Sequence, residues 1–163
     1  MRYHNITKDD MLNGEGLRTV LWGAGCSHHC PQCHNPVTWD INGGLVFDEQ
    51  AKEELFEELK KDYVSGVTFS GGDPFHLENR EEIGALAKEI REKFPDKTIW
   101  LYTGYEWEEI CHLSFLSNID VIVDGKFKIE EKDNNLHWKG SANQRVIDVK
   151  ASLRAGEVRL YQE

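Results

Sequence analysis

Long apolar runs are missing from this sequence. The longest are strand-length, and none approaches the roughly 20 apolar residues that a membrane-spanning helix needs. Positive charge is scarce as well: 19 Lys and Arg stand against 29 Asp and Glu, a formal net charge of −10. Such a surface does not suit a phosphate backbone, which is held by clustered Lys and Arg. The first ten residues, Met1 to Asp10, are polar and lack the apolar core of a secretory signal. The reading is a cytoplasmic protein, bound to neither membrane nor nucleic acid. There cysteines stay reduced and serve metals or catalysis rather than disulfides. Repeats, low-complexity tracts and linkers are absent, and 163 residues is the size of one domain, 1–163, able to bury a real core. No Ser-His-Asp set or paired-carboxylate pattern marks an acid–base enzyme.

What is present is an alternation of strands and helices. Leu17–Trp22 reads as a first strand. Asp48 is a plausible N-cap for a helix running to Lys61, with apolar positions at Ala51, Leu55, Phe56 and Leu59. Gly66–Ser70 is a second strand. Ile83, Leu86, Ala87, Ile90 and Phe94 mark a second helix, stopped by Pro95. Thr98–Tyr102 is a third strand, Tyr105–Ser117 a short helical stretch, and Ile119–Val123 a fourth strand. A polar loop, Glu130–Ala142, precedes a fifth strand at Arg145–Val149, and Val158–Tyr161 is a candidate sixth. This pattern predicts an α/β fold with a mostly parallel sheet of about five or six strands and right-handed crossovers. Eight strands would close a barrel, so the expectation is a partial, open βα barrel. In such folds the chemistry gathers at the C-terminal ends of the strands.

Every unusual motif falls at such an end. After the first strand comes Cys26, Cys30 and Cys33, spaced C-x3-C-x2-C. Three thiolates are one too few for a closed tetrahedral zinc site or a fully ligated cluster. Three readings are open: an iron–sulfur cluster with one open iron, a zinc site completed by His28, His29 or His34, and plain thiols. Zinc sites draw ligands from separated pairs, and no second pair exists here. The isolated Cys111 reads as a semi-buried structural thiol. After the second strand come Ser70-Gly71-Gly72-Asp73. The glycines allow close backbone approach, and Asp73 could fix a cationic ligand group. Thr103-Gly104 follows the third strand. Asp124-Gly125-Lys126 follows the fourth, either a solvated ion pair or part of the same mouth. Trp39 reads as packing for the cysteine loop.

The cysteine triplet followed by a Gly-Gly-acid motif resembles the radical S-adenosylmethionine (SAM) enzymes. Gly14-Glu15-Gly16-Leu17-Arg18, Gly25-Cys26 and Cys33-His34-Asn35-Pro36-Val37-Thr38-Trp39 resemble the glycyl-radical-enzyme activases among them. Tyr102-Thr103-Gly104-Tyr105 and Gly140-Ser141-Ala142-Asn143-Gln144-Arg145-Val146-Ile147-Asp148 are similar to the activases of anaerobic (class III) ribonucleoside-triphosphate reductases. The resemblance runs from about residue 3 to residue 149. It implies that Cys26, Cys30 and Cys33 ligate a 4Fe–4S cluster whose open iron takes SAM. It implies that Gln32, Cys33, His34, Ser70, Gly71, Gly72, Asp73, Asp124 and Lys126 contact SAM, and that a radical cut from SAM takes hydrogen from a glycine of the large reductase subunit. A small reductant protein such as a flavodoxin would supply the electron. The alternatives are another radical-SAM enzyme, acting on pyruvate formate-lyase or a small molecule, and a non-catalytic zinc module. Three positions depart from the family pattern: Gln32 where an aromatic residue is usual, Glu15 in place of a proline, and Asp73 in place of a glutamate.

Overall fold

A computed structural model describes residues 1–31, 33 and 36–162. In chain order the elements are β1 Arg2–Asp10, β2 Arg18–Gly23, β3 Leu45–Val46, α1 Glu49–Leu59, β4 Gly66–Gly71, α2 Arg80–Lys93, β5 Thr98–Tyr102, α3 Trp107–Ile110, β6 Val121–Asp124, β7 Arg145–Asp148 and α4 Val149–Ala155. The seven strands form one sheet in the order β3-β1-β2-β4-β5-β6-β7. β2, β4, β5 and β6 are parallel. β1 and β3 extend the sheet antiparallel on one side and β7 on the other.

The fold is therefore mixed α/β, parallel in the middle and not closed. It corrects the expected five or six strands to seven and adds three antiparallel pairings. β1 escaped the sequence reading because RYHNITKDD looks polar; of its nine residues only Ile6 is buried. β3 has only two residues, both exposed. Val158–Tyr161 is not a strand: only Leu160 bridges, to Ile147. Residues 105–117 resolve into α3 and a 3-10 turn, Ser114–Asn118. The helix over residues 48–61 forms as read, with the Asp48 carboxylate accepting from the Ala51 N–H at 2.9 Å.

Strand alternation sends successive side chains to opposite faces. Leu21, Val67, Phe69, Ile99, Leu101, Ile122 and Ile147 join the helix residues Leu55, Leu59, Ile83 and Ile90 in the main core. The other face carries Trp100, Val121 and Val123, packed by Tyr102, Trp138, Val146 and Tyr161. On that second face lies Arg18, 0% exposed. Its guanidinium donates to Thr68 Oγ1, Val67 O, Thr98 O and Thr98 Oγ1, each at 2.8 Å, and to Glu15 O at 2.9 Å. It sits 5.5 Å from the Trp100 ring centre. Every hydrogen-bond partner is neutral. Burial pushes the group down to about 10, which leaves it cationic at neutral pH. Arg18 thus ties β2, β4 and β5 to the Gly14–Gly16 segment.

Arg18→Ala leaves five acceptors without their donor and opens a cavity between Trp100 and Thr68. The expected loss of unfolding free energy is about 3 kcal/mol, read by urea denaturation. A loss below about 1 kcal/mol would show that the network does not hold these strands.

Candidate active site

The four parallel strands deliver their following loops to one edge of the sheet. β2 runs into the cysteine loop, β4 into Gly71-Gly72-Asp73, β5 into Thr103-Gly104 and β6 into Gly125-Lys126. Between them lies a cleft of about 390 Å³. Cys26, Cys30 and Cys33 line it together with Ser70, Gly71 and Gly72. The remaining walls include Trp22, Tyr102, Thr103, Gly104, Phe127, Trp138 and Gln144. The separate sequence motifs therefore share one cavity.

The glycines serve close packing between loops. Gly71 has φ +107°, and a Cβ there would lie 2.5 Å from Gly23 N; a Cβ on Gly72 would lie 2.5 Å from Gly25 O. Gly72 N–H donates to Gly23 O at 3.0 Å and Asp73 N–H to Gly25 O at 2.7 Å. The end of β4 is thus zipped to the first residues of the cysteine loop.

The sequence expectation placed both acids against the ligand; in the structure both are buried and bonded to protein groups. Asp73 is 2% exposed and is not among the residues lining the cleft. Its Oδ1 accepts from Phe75 N–H at 2.9 Å and Thr103 Oγ1 at 2.8 Å. Its Oδ2 accepts from Gly104 N–H at 2.9 Å and pairs with His28 Nε2 at 2.6 Å. His28, midway between Cys26 and Cys30, also packs edge-on against Tyr105, with ring centres 4.7 Å apart. A Cβ on Gly104 would lie 2.4 Å from the His28 ring. Asp124 is 1% exposed, bound to Arg145 Nη2 at 2.5 Å, Arg145 Nε at 3.1 Å and Trp107 N–H at 2.8 Å. Both carboxylates face protein donors behind the cleft. Lys126 is exposed on the turn after β6, where its charge acts on Cys30. Gln32 and His34 lie outside the described residues.

Burial pushes the Cys26 and Cys30 thiols above the ordinary range. Backbone N–H groups oppose this: those of His28 and His29 at Cys26, that of Phe127 at Cys30, where Lys126 pulls the same way. Soft thiolates suit iron–sulfur clusters and zinc, and N–H groups directed at sulfur are one of the protein's levers on a cluster. Among the described residues, no three His, Cys, Asp or Glu side chains gather around a single metal position. Three cysteines from one loop bordering one cleft are a soft donor set of the kind that suits an iron–sulfur cluster.

Other placements refine the sequence reading. Trp39 stacks on His29 at 4.5 Å between ring centres, consistent with packing of the loop. Cys111 is exposed, not semi-buried: it lies one residue past the end of α3, and its Sγ is 3.9 Å from Glu108 O. Sequence reasoning missed Trp138. It comes from the loop read only as polar, has φ +64°, and its carbonyl accepts from Tyr102 Oη at 2.6 Å. Tyr102 carried a usable signal, since it precedes Thr103-Gly104 at a strand end. Its phenol is pushed above the usual range by burial.

Comparison with known proteins agrees with this architecture. A family model described as a 4Fe-4S single cluster domain matches residues 12–147. The anaerobic ribonucleoside-triphosphate reductase-activating protein of Enterobacteria phage T4 is 43% identical over 146 residues, covering 90% of this chain and 93% of that one. Proteins of the same name from Salmonella typhi and Escherichia coli K12 are each 39% identical over 150 residues, covering 90% of this chain and 97% of theirs.

Asp73→Ala should lower stability by about 3 kcal/mol, because four donors lose a buried acceptor. Thr103→Val should cost about 1 kcal/mol. Denaturant titration of both variants reads these values. An Asp73→Ala protein as stable as the parent would show that the carboxylate does not brace the loop.

Proposed function

The chain belongs to the family of anaerobic ribonucleoside-triphosphate reductase-activating proteins, and from that membership we propose that it is a radical-SAM activase that generates a glycyl radical on such a reductase. The observation that carries the reading is the convergence of Cys26, Cys30 and Cys33 with Ser70, Gly71 and Gly72 on one cleft. Its volume of about 390 Å³ falls within the range of small-molecule sites.

In this reading the three thiolates hold a 4Fe–4S cluster. When bound, the cluster supplies the electron that cleaves SAM reductively, and the hydrogen is then taken from the Cα of a glycine of the reductase. Everything else is positioning. Cys33, Ser70, Gly71 and Gly72 border the space for SAM, and the Cβ-free glycines let the end of β4 close on the cysteine loop beside it. Gln32, His34 and Lys126 are the remaining proposed contacts. Asp73 and Asp124 act from behind, holding the loops that form the mouth. Trp138, Phe127 and Tyr102 give the cleft apolar walls, which limit the water that would quench a radical. Lys126 places a positive charge near Cys30, favourable for an anionic cluster. The open sheet is read as a single-domain partial barrel whose wide mouth admits a glycine loop. A flavodoxin-like protein in the cytoplasm would donate the electron.

The test is anaerobic reconstitution with iron and sulfide, followed by SAM and a strong reductant. Methionine and 5′-deoxyadenosine are expected from the parent protein. Cys26→Ala, Cys30→Ala and Cys33→Ala should each lose iron and SAM cleavage together. Adding the large reductase subunit should give a glycyl radical detectable by electron paramagnetic resonance. Zinc without iron or sulfide in protein purified anaerobically would overturn the reading in favour of a binding module. SAM cleavage without a radical on the reductase would point to a small-molecule radical-SAM enzyme.

A further inference from the structure

A glycine has no side chain, so a glycine brought to the cleft offers little for the protein to grip. Affinity for the segment that carries it must come from the residues flanking it. Those residues pass over the rim of the cleft, where apolar contact also excludes water.

Met11 and Leu12, directly after β1, supply such a rim. They are 71% and 81% exposed. Single exposed apolar side chains are ordinary. These two are consecutive, and Leu12 borders the cleft that the three cysteines line. Leu136 and Trp138, from the loop after β6, border the same cleft. The turn is firmly built. Asp10 Oδ1 accepts from the N–H groups of Leu12 and Asn13, each at 2.9 Å. Asn13 Nδ2 donates to Asp10 Oδ2 at 3.0 Å. The Asn13 carbonyl accepts from Thr68 Oγ1 at 2.7 Å, and the same Thr68 oxygen accepts from Arg18 Nε at 2.8 Å. The turn is thus fastened to β4 and to the buried Arg18 network. A turn already ordered before binding loses little freedom when a partner covers it.

We propose that the turn carrying Met11 and Leu12 is a docking lip for the large reductase subunit, on which an apolar segment flanking the radical-bearing glycine rests. The occupant follows from continuity: a segment that presents a Cα to the cleft crosses the residues that border it. The inference rests on the activase reading above, and it adds which surface of this chain meets the partner and what chemistry the partner brings to it.

The experiment uses the full chain, reconstituted anaerobically with iron and sulfide, together with the large reductase subunit. The parent, Met11→Asp and Leu12→Asp are compared with Met11→Leu and Leu12→Met, which keep the apolar surface. The control is Tyr63→Asp, at a 57% exposed position ahead of β4, whereas the cleft lies beyond the other end of that strand. Iron and sulfide content, affinity for the reductase subunit, and the glycyl radical by electron paramagnetic resonance are read for each. Affinity should fall about tenfold or more in the two aspartate variants, with the radical falling alongside it and iron and sulfide unchanged. Met11→Asp should still form methionine from SAM when given a chemical reductant and no reductase. The apolar replacements and Tyr63→Asp should match the parent. Parent affinity and radical yield in both aspartate variants overturn the proposal. Loss of iron along with affinity overturns it in favour of a structural role for the turn. Unchanged affinity with an altered oligomeric state of this chain, read by sedimentation, overturns it in favour of a second copy on the lip. A parent that forms no methionine, or no radical on the reductase, overturns the activase reading and this proposal with it; the parent alone separates that case from the others.

Discussion

The Asp73 carboxylate accepts from donors on three segments: His28 of the cysteine loop, Phe75 just beyond β4, and Thr103 with Gly104 after β5. The position of the cysteine loop depends on these bonds. Among the described residues from Cys26 to Cys33 the loop carries no regular structure and has a single internal backbone bond, Cys33 N–H to Cys30 O. A buried anion surrounded by directed donors is costly to displace, since each donor left behind also loses its partner. His28 is therefore anchored in the middle of the loop, and the flanking thiols inherit that position. The zipper between Gly71–Asp73 and Gly23–Gly25 fixes the loop's entrance by backbone contact alone.

Asp124 repeats the device two strands along. It lies at the end of a parallel strand, as Asp73 lies just past one, is almost fully buried, and accepts a backbone N–H from the segment after β5, here that of Trp107 at the start of α3. Its charged partner, Arg145, comes from β7 rather than from a loop. The two Asp124 bonds and the ion pair to Glu108 hold the Arg145 guanidinium firmly in its charged form, well above its usual range. Asp73 ties β4 to β5, and Asp124 ties β6 to both β5 and β7. Rigid supports of this sort are what a binding site needs when its reacting groups must be held to fractions of an ångström.

Much of this was legible in the sequence. The four parallel strands declared themselves as apolar runs, α1 declared its start through Asp48, and the motifs fell where a parallel sheet collects chemistry. What could not be read was the direction of side chains whose partners are distant in the chain. Whether Asp73 faces a ligand or a protein donor depends on His28, 45 residues away. Asp124 depends on Arg145, 21 residues on. A Gly-Gly-acid pattern fixes the acid's place on the strand and says nothing of its rotamer. β1 was hidden for another reason. As a strand near the edge of the sheet with only Ile6 buried, it owes its pairing to β2 rather than to an apolar pattern of its own.

These supports also explain how an unclosed sheet can keep a defined mouth. A closed barrel fixes its rim through continuous strand pairing. Here the pairing stops at β3 on one side and β7 on the other, so the rim must be fixed by other means. Arg18 locks β2, β4 and β5 from the second face through five bonds to neutral acceptors. Asp73 and Asp124 lock the loops at the strand ends. Gln144 and Asn143 then hold the turn after β6, the last parallel strand. Each lock joins neighbouring strands, so rigidity passes from β2 to β7 without closure, and the side of the cleft away from the sheet is left to the Trp138 loop. For an activase of the proposed kind this division is useful. The cluster ligands need an immobile frame, while a glycine presented by another protein needs an approach that a closed barrel would deny.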